Sequence, residues 1–351
     1  MLGKYILLFI PTIHAFATTP LAPFNEWHCI DFMKNIDTSK PHAYNIGALP
    51  LVSWFDKNKE PMTAVNVCKH MGSKLDHGKI KDGCLECPYH GLSHNTEDTF
   101  GQSMIFQDKL WWSYSPKTKY PPAIPYYNKN GFATTEIKVD IDANIIDCAY
   151  NAMDLNHPAF VHNNAFGFGS NIPPTDIKTI KYKNPNKLGL TFVYKSNSNL
   201  IHLKRELKKS HNFHIYEFPY FTWSRVSLPT NEHLFVNVNM LPLSENKTRW
   251  LVTLKHNFWT SSIEKYFMEF AAWCILLQDK IQLSKQARDD ELKKLIMYQT
   301  LFDNEEHITD MRNMMNKYKY PDQKSVIELY KHHKYVATLL RRILSTEHND
   351  K

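Results

Sequence analysis

The chain has 351 residues, of which 43% are hydrophobic and 13% aromatic, ample for buried cores in two domains. Its formal net charge is +7, and the lysine-rich runs at 178–187 and 204–209 come with no nucleic-acid recognition motif, so they read as solvated faces and a nucleic-acid partner is not expected. Six cysteines without regular spacing exclude a disulfide scaffold.

Residues 1–17 have a basic start, a short apolar run and an Ala15-Phe-Ala17 end, the pattern of a cleavable targeting segment. The run is too short to span a bilayer, and no other segment approaches the roughly 20 apolar residues a spanning helix needs. The junction into Thr18-Thr19-Pro20 resembles presequences that deliver proteins to plastids, so a plastid location is expected, with a cytoplasmic one as the alternative and an uncleaved N-terminus also open.

From about Trp27 to Ser115, short apolar runs alternate with turn residues, predicting a small antiparallel β domain over 25–125. Two loops within it carry the most informative chemistry: Cys68-Lys-His70 and Cys87-Pro-Tyr-His90, sixteen residues apart. Two thiolates and two imidazoles in that order suit a [2Fe-2S] cluster, with the cysteines on one iron and the histidines on the other. Cys84 and Cys87 also form a Cys-x-x-Cys pair, so a mixed-ligand zinc site is the rival, although the spacing fits the usual zinc patterns poorly.

After a linker at Pro121-Pro-Ala-Ile-Pro125, a second domain is expected over 132–300. It begins with the helical stretch Asn151-Ala-Met-Asp154-Leu-Asn-His157-Pro-Ala-Phe-Val-His162. Two histidines and a carboxylate on one face of an iron form the triad of non-haem Fe(II) oxygenases. Five helical residues rotate a side chain by roughly 500°, leaving His157 and His162 about 140° apart on a straight helix. Convergence therefore requires a bend, expected at Pro158. Asp154 lies three residues before His157 and is expected to hydrogen-bond a histidine from outside the metal shell.

Strands are expected near 190–194, 211–218, 233–241 and 249–258. In the third, Phe235, Asn237 and Asn239 face one side and Val236, Val238 and Met240 the other. Phe166, Phe168, Phe213, Phe218, Phe221 and Trp223 are candidates for an apolar pocket, against the plainer reading that each is core. A capping box at Ser261 and Glu264 opens one long amphipathic helix on which Ala272, Leu276, Asp279 and Leu283 share a stripe. A carboxylate amid apolar residues is too costly to bury unless paired or metal-bound, so Asp279 is the candidate third ligand. Asp289 and Asp290 sit in a charged run that suits solvent, and a buried Asp paired with a Lys or Arg is the structural alternative for Asp279. Residues 301–351 read as a charged helical extension packing on the second domain or on a neighbouring subunit.

The runs Cys68-Lys-His-Met-Gly-Ser73 and Cys87-Pro-Tyr-His-Gly-Leu92 resemble the Rieske iron-sulfur family. Ser73 and Tyr89 stand where electron-transport Rieske proteins carry an extra cysteine pair, so the loops look like those of Rieske oxygenases. With the 151–162 motif and Asp279, the likeness to catalytic subunits of Rieske non-haem iron oxygenases covers roughly 25–295. The resemblance implies an α+β chain, with an antiparallel β Rieske domain followed by a catalytic domain whose antiparallel sheet is covered by helices. It also implies that Cys68, His70, Cys87 and His90 hold the cluster, that His157, His162 and Asp279 hold mononuclear Fe(II), and that Asp154 couples the centres across a subunit boundary in a homotrimer. A ferredoxin or reductase would supply electrons, and a hydrophobic ring substrate and O2 would meet at the iron. Gln278-Asp-Lys-Ile-Gln-Leu-Ser-Lys-Gln286 and Leu329-Tyr-Lys-His-His-Lys334 resemble the pheophorbide a oxygenase branch, which suggests a chlorophyll-derived macrocycle. Val336-Ala-Thr-Leu339 stands where that branch usually has Cys-x-x-Cys. A pure Rieske electron carrier and a non-catalytic iron-sulfur binding protein are the rival functions.

Overall fold

The computed structural model describes residues 24–162, 173–197, 207–227, 232–286 and 306–331. The expected targeting segment, Phe166, Phe168, Asp289, Asp290 and the 336–339 run lie outside them.

The N-terminal part is built from short strands: β1 (His28–Phe32), β2 (His42–Ile46), β3 (Leu49–Phe55), β4 (Pro61–Val65), β5 (Lys79–Lys81), β6 (Cys84–Glu86), β7 (Ser93–His94), β8 (Gln102–Phe106) and β9 (Lys109–Ser113). They form three antiparallel three-stranded sheets, ordered β1-β9-β8, β2-β3-β4 and β5-β6-β7. β3 is buried along nearly its whole length and reads LPLVSWF, whereas β2 alternates buried and open positions as a half-covered strand does. Trp54, Leu75 and Leu85 form a small core directly beneath Cys68 and Cys87, fixing the two loops that carry them.

The second part is one antiparallel seven-stranded sheet in the order β10-β16-β15-β14-β13-β12-β11. Its strands are β10 (Ala133–Ile141), β11 (Thr175–Lys181), β12 (Lys187–Asn197), β13 (Leu207–Glu217), β14 (Phe221–Ser227), β15 (His233–Ser244) and β16 (Lys247–His256). Four of these were expected, while β10, β11 and β14 add to them. α1 (Ile145–Met153) and α3 (Ser262–Ser284) pack on the sheet and α2 (His157–Val161) packs against α3, giving the α+β architecture. α3 is capped as its sequence predicts: Ser261 Oγ accepts from the Glu264 amide, and the Glu264 carboxylate accepts from the Ser261 amide.

The buried stripe of α3 is Met268, Ala272, Leu276, Asp279 and Leu283. Its opposite face departs from the amphipathic expectation, since Ile263, Tyr266, Phe267, Phe270 and Trp273 are all exposed. The helix is thus apolar on two sides, and a pattern that scores one apolar stripe does not distinguish the inward one. On β15, Val238 and Met240 enter the main core, whereas the Phe235 ring lies 4.8 Å from that of Tyr126 and Leu241 packs in the N-terminal core. The two faces of this one sheet therefore serve different cores. Two further helices, α4 (Glu306–Met315) and α5 (Gln323–Lys331), bridge them: Met311, Met314 and Met315 join the sheet core and Leu329 joins the N-terminal one. Between those helices the Pro321 carbonyl accepts from Ala48, and Gly47, at φ +59°, leaves no room there for a Cβ, which would lie 2.5 Å from Pro321.

Candidate functional site

The Cys68 and Cys87 loops are built alike. In each, the Cys carbonyl accepts from the glycine four residues on, Gly72 or Gly91, at 2.9 and 3.0 Å. Both glycines are left-handed, at φ +73° and +71°, where a side chain would strain the turn. The Cys68 and Cys87 side chains are buried, while His70 and His90 are exposed with ring centroids 4.9 Å apart. Burial acts to raise the Cys87 thiol, but the amides of Tyr89 and His90, Cys68 and the Ser73 hydroxyl outweigh it and pull it below its ordinary value. Cys68 shifts the other way, raised first by burial and further by its contact with Cys87, so the donors of this pair favour a thiolate at Cys87. Two thiols and two imidazoles brought together from two loops are the donor set a [2Fe-2S] cluster would take, one pair to each iron.

The second constellation comes from α1, α2 and α3. α1 ends at Asp154, and the chain turns through Leu155 and Asn156 before α2 starts at His157. Asp154 Oδ1 accepts the Asn156 amide at 2.8 Å and the His157 amide at 3.3 Å, covering donors that the start of α2 leaves open. Pro158 lies in the first turn, where its missing N–H costs nothing, so it starts α2 instead of bending the chain between the histidines. They converge because the helix stops at Val161 and His162, at φ −108° and ψ 24°, leaves helical geometry. Their rings stand 5.3 Å apart.

Both rings are aimed at Asp279. His157 Nε2 lies 3.4 Å and His162 Nε2 3.1 Å from Asp279 Oδ1, and a ligand atom from each of the three residues falls within 4.8 Å of the others. Each opposite ring nitrogen is anchored. His157 Nδ1–H donates to the Asp154 backbone carbonyl at 2.7 Å and His162 Nδ1–H to Gln278 Oε1 at 2.8 Å. With Nδ1 protonated, each Nε2 presents its lone pair inward when a metal is present, the arrangement metal-binding histidines use. Burial acts to raise the Asp279 carboxyl, and the two imidazoles outweigh it, holding it at about 2. For His157, burial acts to lower the pKa and Asp279 outweighs it, leaving it raised. This buried N2O set fits a divalent iron.

Asp154 departs from expectation in one respect: its backbone carbonyl anchors His157, while the carboxylate Oδ2 stands 3.9 Å from the ring. The Asp154 side chain is 38% exposed against 7% for Asp279, so it is the more open of the two carboxylates. Gln278 and Asn151, whose Nδ2 donates to Asp279 Oδ1 at 3.4 Å, were not anticipated. Gln278 directly precedes Asp279 and Asn151 lies three residues before Asp154, so both stand within the quoted runs, which was the signal that could have found them.

Beside the triad lies a cavity of about 250 Å³, reached by His157 and His162. Its floor is the sheet face carrying Phe192, Val226, Leu234, Val236 and Leu254, and Met268, Ala272 and Leu276 of α3 close it from above. The aromatics expected there are elsewhere. The Phe213 and Trp223 rings pack against each other at a tilt of 57° with centroids 5.3 Å apart, Phe221 is buried outside the lining, and Phe218 packs by Tyr318. Residues 213, 221 and 223 differ by odd steps from cavity-lining His214, Ser224 and Val226, so the pleat turns them to the opposite face.

Residues 26–103 match the Rieske [2Fe-2S] domain, and this region is therefore a Rieske domain. The chain is 26% identical over 160 residues to the oxygenase component of 3-ketosteroid-9-alpha-monooxygenase from Rhodococcus rhodochrous, covering 39% of this chain and 41% of that protein. It is 22% identical over 189 residues to chloroplastic pheophorbide a oxygenase of Arabidopsis thaliana, covering 44% and 35%. The matches thus span less than half the length of these curated relatives. Its fold is similar to that of dicamba monooxygenase bound to dicamba, with a TM-score of 0.68 at 14% identity over 83% of this chain and 96% of that one. The two relatives and this structural neighbour are all oxygenases by name.

Proposed function

We propose that the chain is the catalytic subunit of a Rieske-type oxygenase that oxidises a hydrophobic, ring-containing substrate. The observation that carries this is the convergence of His157, His162 and Asp279 at an apolar cavity within a chain that also bears a Rieske domain. In this reading Cys68, His70, Cys87 and His90 hold the cluster, and His157, His162 and Asp279 hold the iron. When bound, these groups supply single-electron delivery and activation of O2, chemistry that side chains lack. Asp279 and the two histidines provide three ligands and leave the cavity side open for substrate and O2. The apolar floor and α3 roof bind the ring system and exclude water from it.

In this reading Asp154 couples the site to the cluster of a neighbouring subunit in a homotrimer, a role supported by its partial exposure and by the hydrogen bond from His157 to its backbone carbonyl. A ferredoxin or reductase is the proposed electron donor. The chloroplastic relative supports a plastid location and a chlorophyll-derived macrocycle, while the ketosteroid relative supports a smaller fused-ring substrate. A pure electron carrier would have no use for the buried triad. The test is iron and acid-labile sulfide content of anaerobically purified protein, with a spectrum of the reduced form and O2 uptake across both substrate classes. Three irons and two sulfides per chain with substrate-dependent O2 uptake are expected; two irons and no uptake would overturn the proposal.

A further inference from the structure

The cavity is polar along the triad, where Asp154, His157 and His162 border it, and at Tyr194, whose hydroxyl proton is committed to the Leu155 carbonyl, and at one further place on the sheet. His214 on β13 and Ser224 on β14 are cross-strand partners in register, and both line the cavity beside Val236 and Leu254. The His214 Nδ1 is hydrogen-bonded to Ser224 Oγ, and its Nε2 lies 3.0 Å from Met153 Sδ. Burial holds the His214 pKa far below its ordinary value, at about 3, so the ring is neutral and has a single N–H. A thioether carries no proton, so the approach to Met153 is favourable only when that N–H is on Nε2. Nδ1 is then bare and must accept, which commits the Ser224 hydroxyl proton to His214. Ser224 is only partly buried, so its oxygen meets the cavity with lone pairs and no hydrogen.

We infer that the Ser224–His214 pair selects a neutral fused-ring substrate bearing a hydroxyl group, which donates its hydrogen bond to Ser224 Oγ. This rests on the oxygenase reading above and narrows its substrate class. A ketone at the same point would need the Ser224 proton, forcing the His214 hydrogen onto Nδ1 and leaving Nε2 bare against sulfur. A carboxylate would face the same lone pairs with no Lys or Arg among the described lining residues to balance its charge. Ser224 touches the substrate in this arrangement, and His214 is a positioning residue that acts through the hydroxyl it orients.

The experiment uses the metal-loaded protein, anaerobic and without reductant, so that binding is read without turnover. Its ligands are one saturated four-ring steroid skeleton carrying, at a fixed ring carbon, a hydroxyl, a ketone, a carboxylate or only hydrogen, titrated calorimetrically. The alcohol is expected to bind roughly tenfold tighter than the hydrogen analogue, with the ketone and carboxylate gaining nothing. In Ser224→Ala the alcohol loses its advantage over the hydrogen analogue, whose continued binding reports an intact cavity. In His214→Leu the Ser224 hydroxyl is freed to donate, so the ketone gains and discrimination between it and the alcohol disappears, a change that mere loosening of the fold does not produce. Binding of the series without preference for the alcohol would overturn this inference alone, whereas failure of every member to bind would overturn the cavity as a substrate site as well.

Discussion

Replacing Gln278 with Leu isolates what an outer partner contributes to the metal site. The imidazole of His162 is 5% exposed, and its Nδ1–H is received by Gln278 Oε1 at 2.8 Å. Leucine keeps the volume and removes the acceptor. In metal-free protein the ring can rotate to recover a partner, but once Nε2 is ligated the Nδ1–H is fixed in place, so the loss falls on the bound state. An unsatisfied buried donor costs about 1–3 kcal/mol, and about 1.4 kcal/mol is a factor of ten, so Fe(II) affinity should fall by roughly tenfold to a hundredfold. Competition with a chelator of known affinity measures it, and the visible spectrum of the cluster, held on separate loops, is the internal control. Gln278→Glu, which keeps an acceptor, should recover most of the affinity. If Gln278→Leu binds Fe(II) as tightly as the parent with the cluster intact, the assignment of His162 as a ligand oriented by Gln278 is refuted.

Asp279→Ala should lose mononuclear iron and keep cluster iron and sulfide, and unchanged iron content would remove it from the ligand set. For Asp154→Asn the structure gives a sharper expectation than sequence alone, because an amide oxygen can still accept from the Asn156 and His157 amides. Both metals should therefore stay while most turnover is lost, and full activity would sink the coupling role. His214 provides a pH test. Its folded pKa, depressed by burial to about 3 from 6.5, means that the unfolded chain binds the extra proton first, so stability falls as pH drops below 6.5. One pKa unit is worth about 1.4 kcal/mol, which puts the cost at pH 5 near 2 kcal/mol. His214→Phe should lose that much less stability between pH 7 and pH 5 in denaturant titrations, and parallel curves would contradict the buried neutral imidazole.

Much of this protein was legible in its sequence because ligand chemistry is local. Cys68 and His70, or Cys87 and His90, share a single turn, and the nearby Gly72 and Gly91 mark the backbone reversals that present them. The burial of Asp279 was legible for a related reason, since the 3.6-residue period places it on one line with Ala272, Leu276 and Leu283. By contrast, the convergence of His157 with His162 depended on where α2 stops, which the pattern placed wrongly at Pro158. Helix ends are set by competing caps and tertiary contacts more than by one residue's preference.

The cavity was decided by tertiary structure alone. A strand's alternation shows that Phe221 and Trp223 share a face, but not which face looks toward α3 or how Phe213 of the next strand lies against them, and a shift of one position exchanges the two faces. For the same reason His214 and Ser224, ten residues apart in sequence, became a pair only when β13 and β14 aligned in register. The sequence by itself determined which atoms can bind metal, because that is fixed by side-chain type and short spacing. The distance-spanning packing of sheet against helix decided what those atoms face.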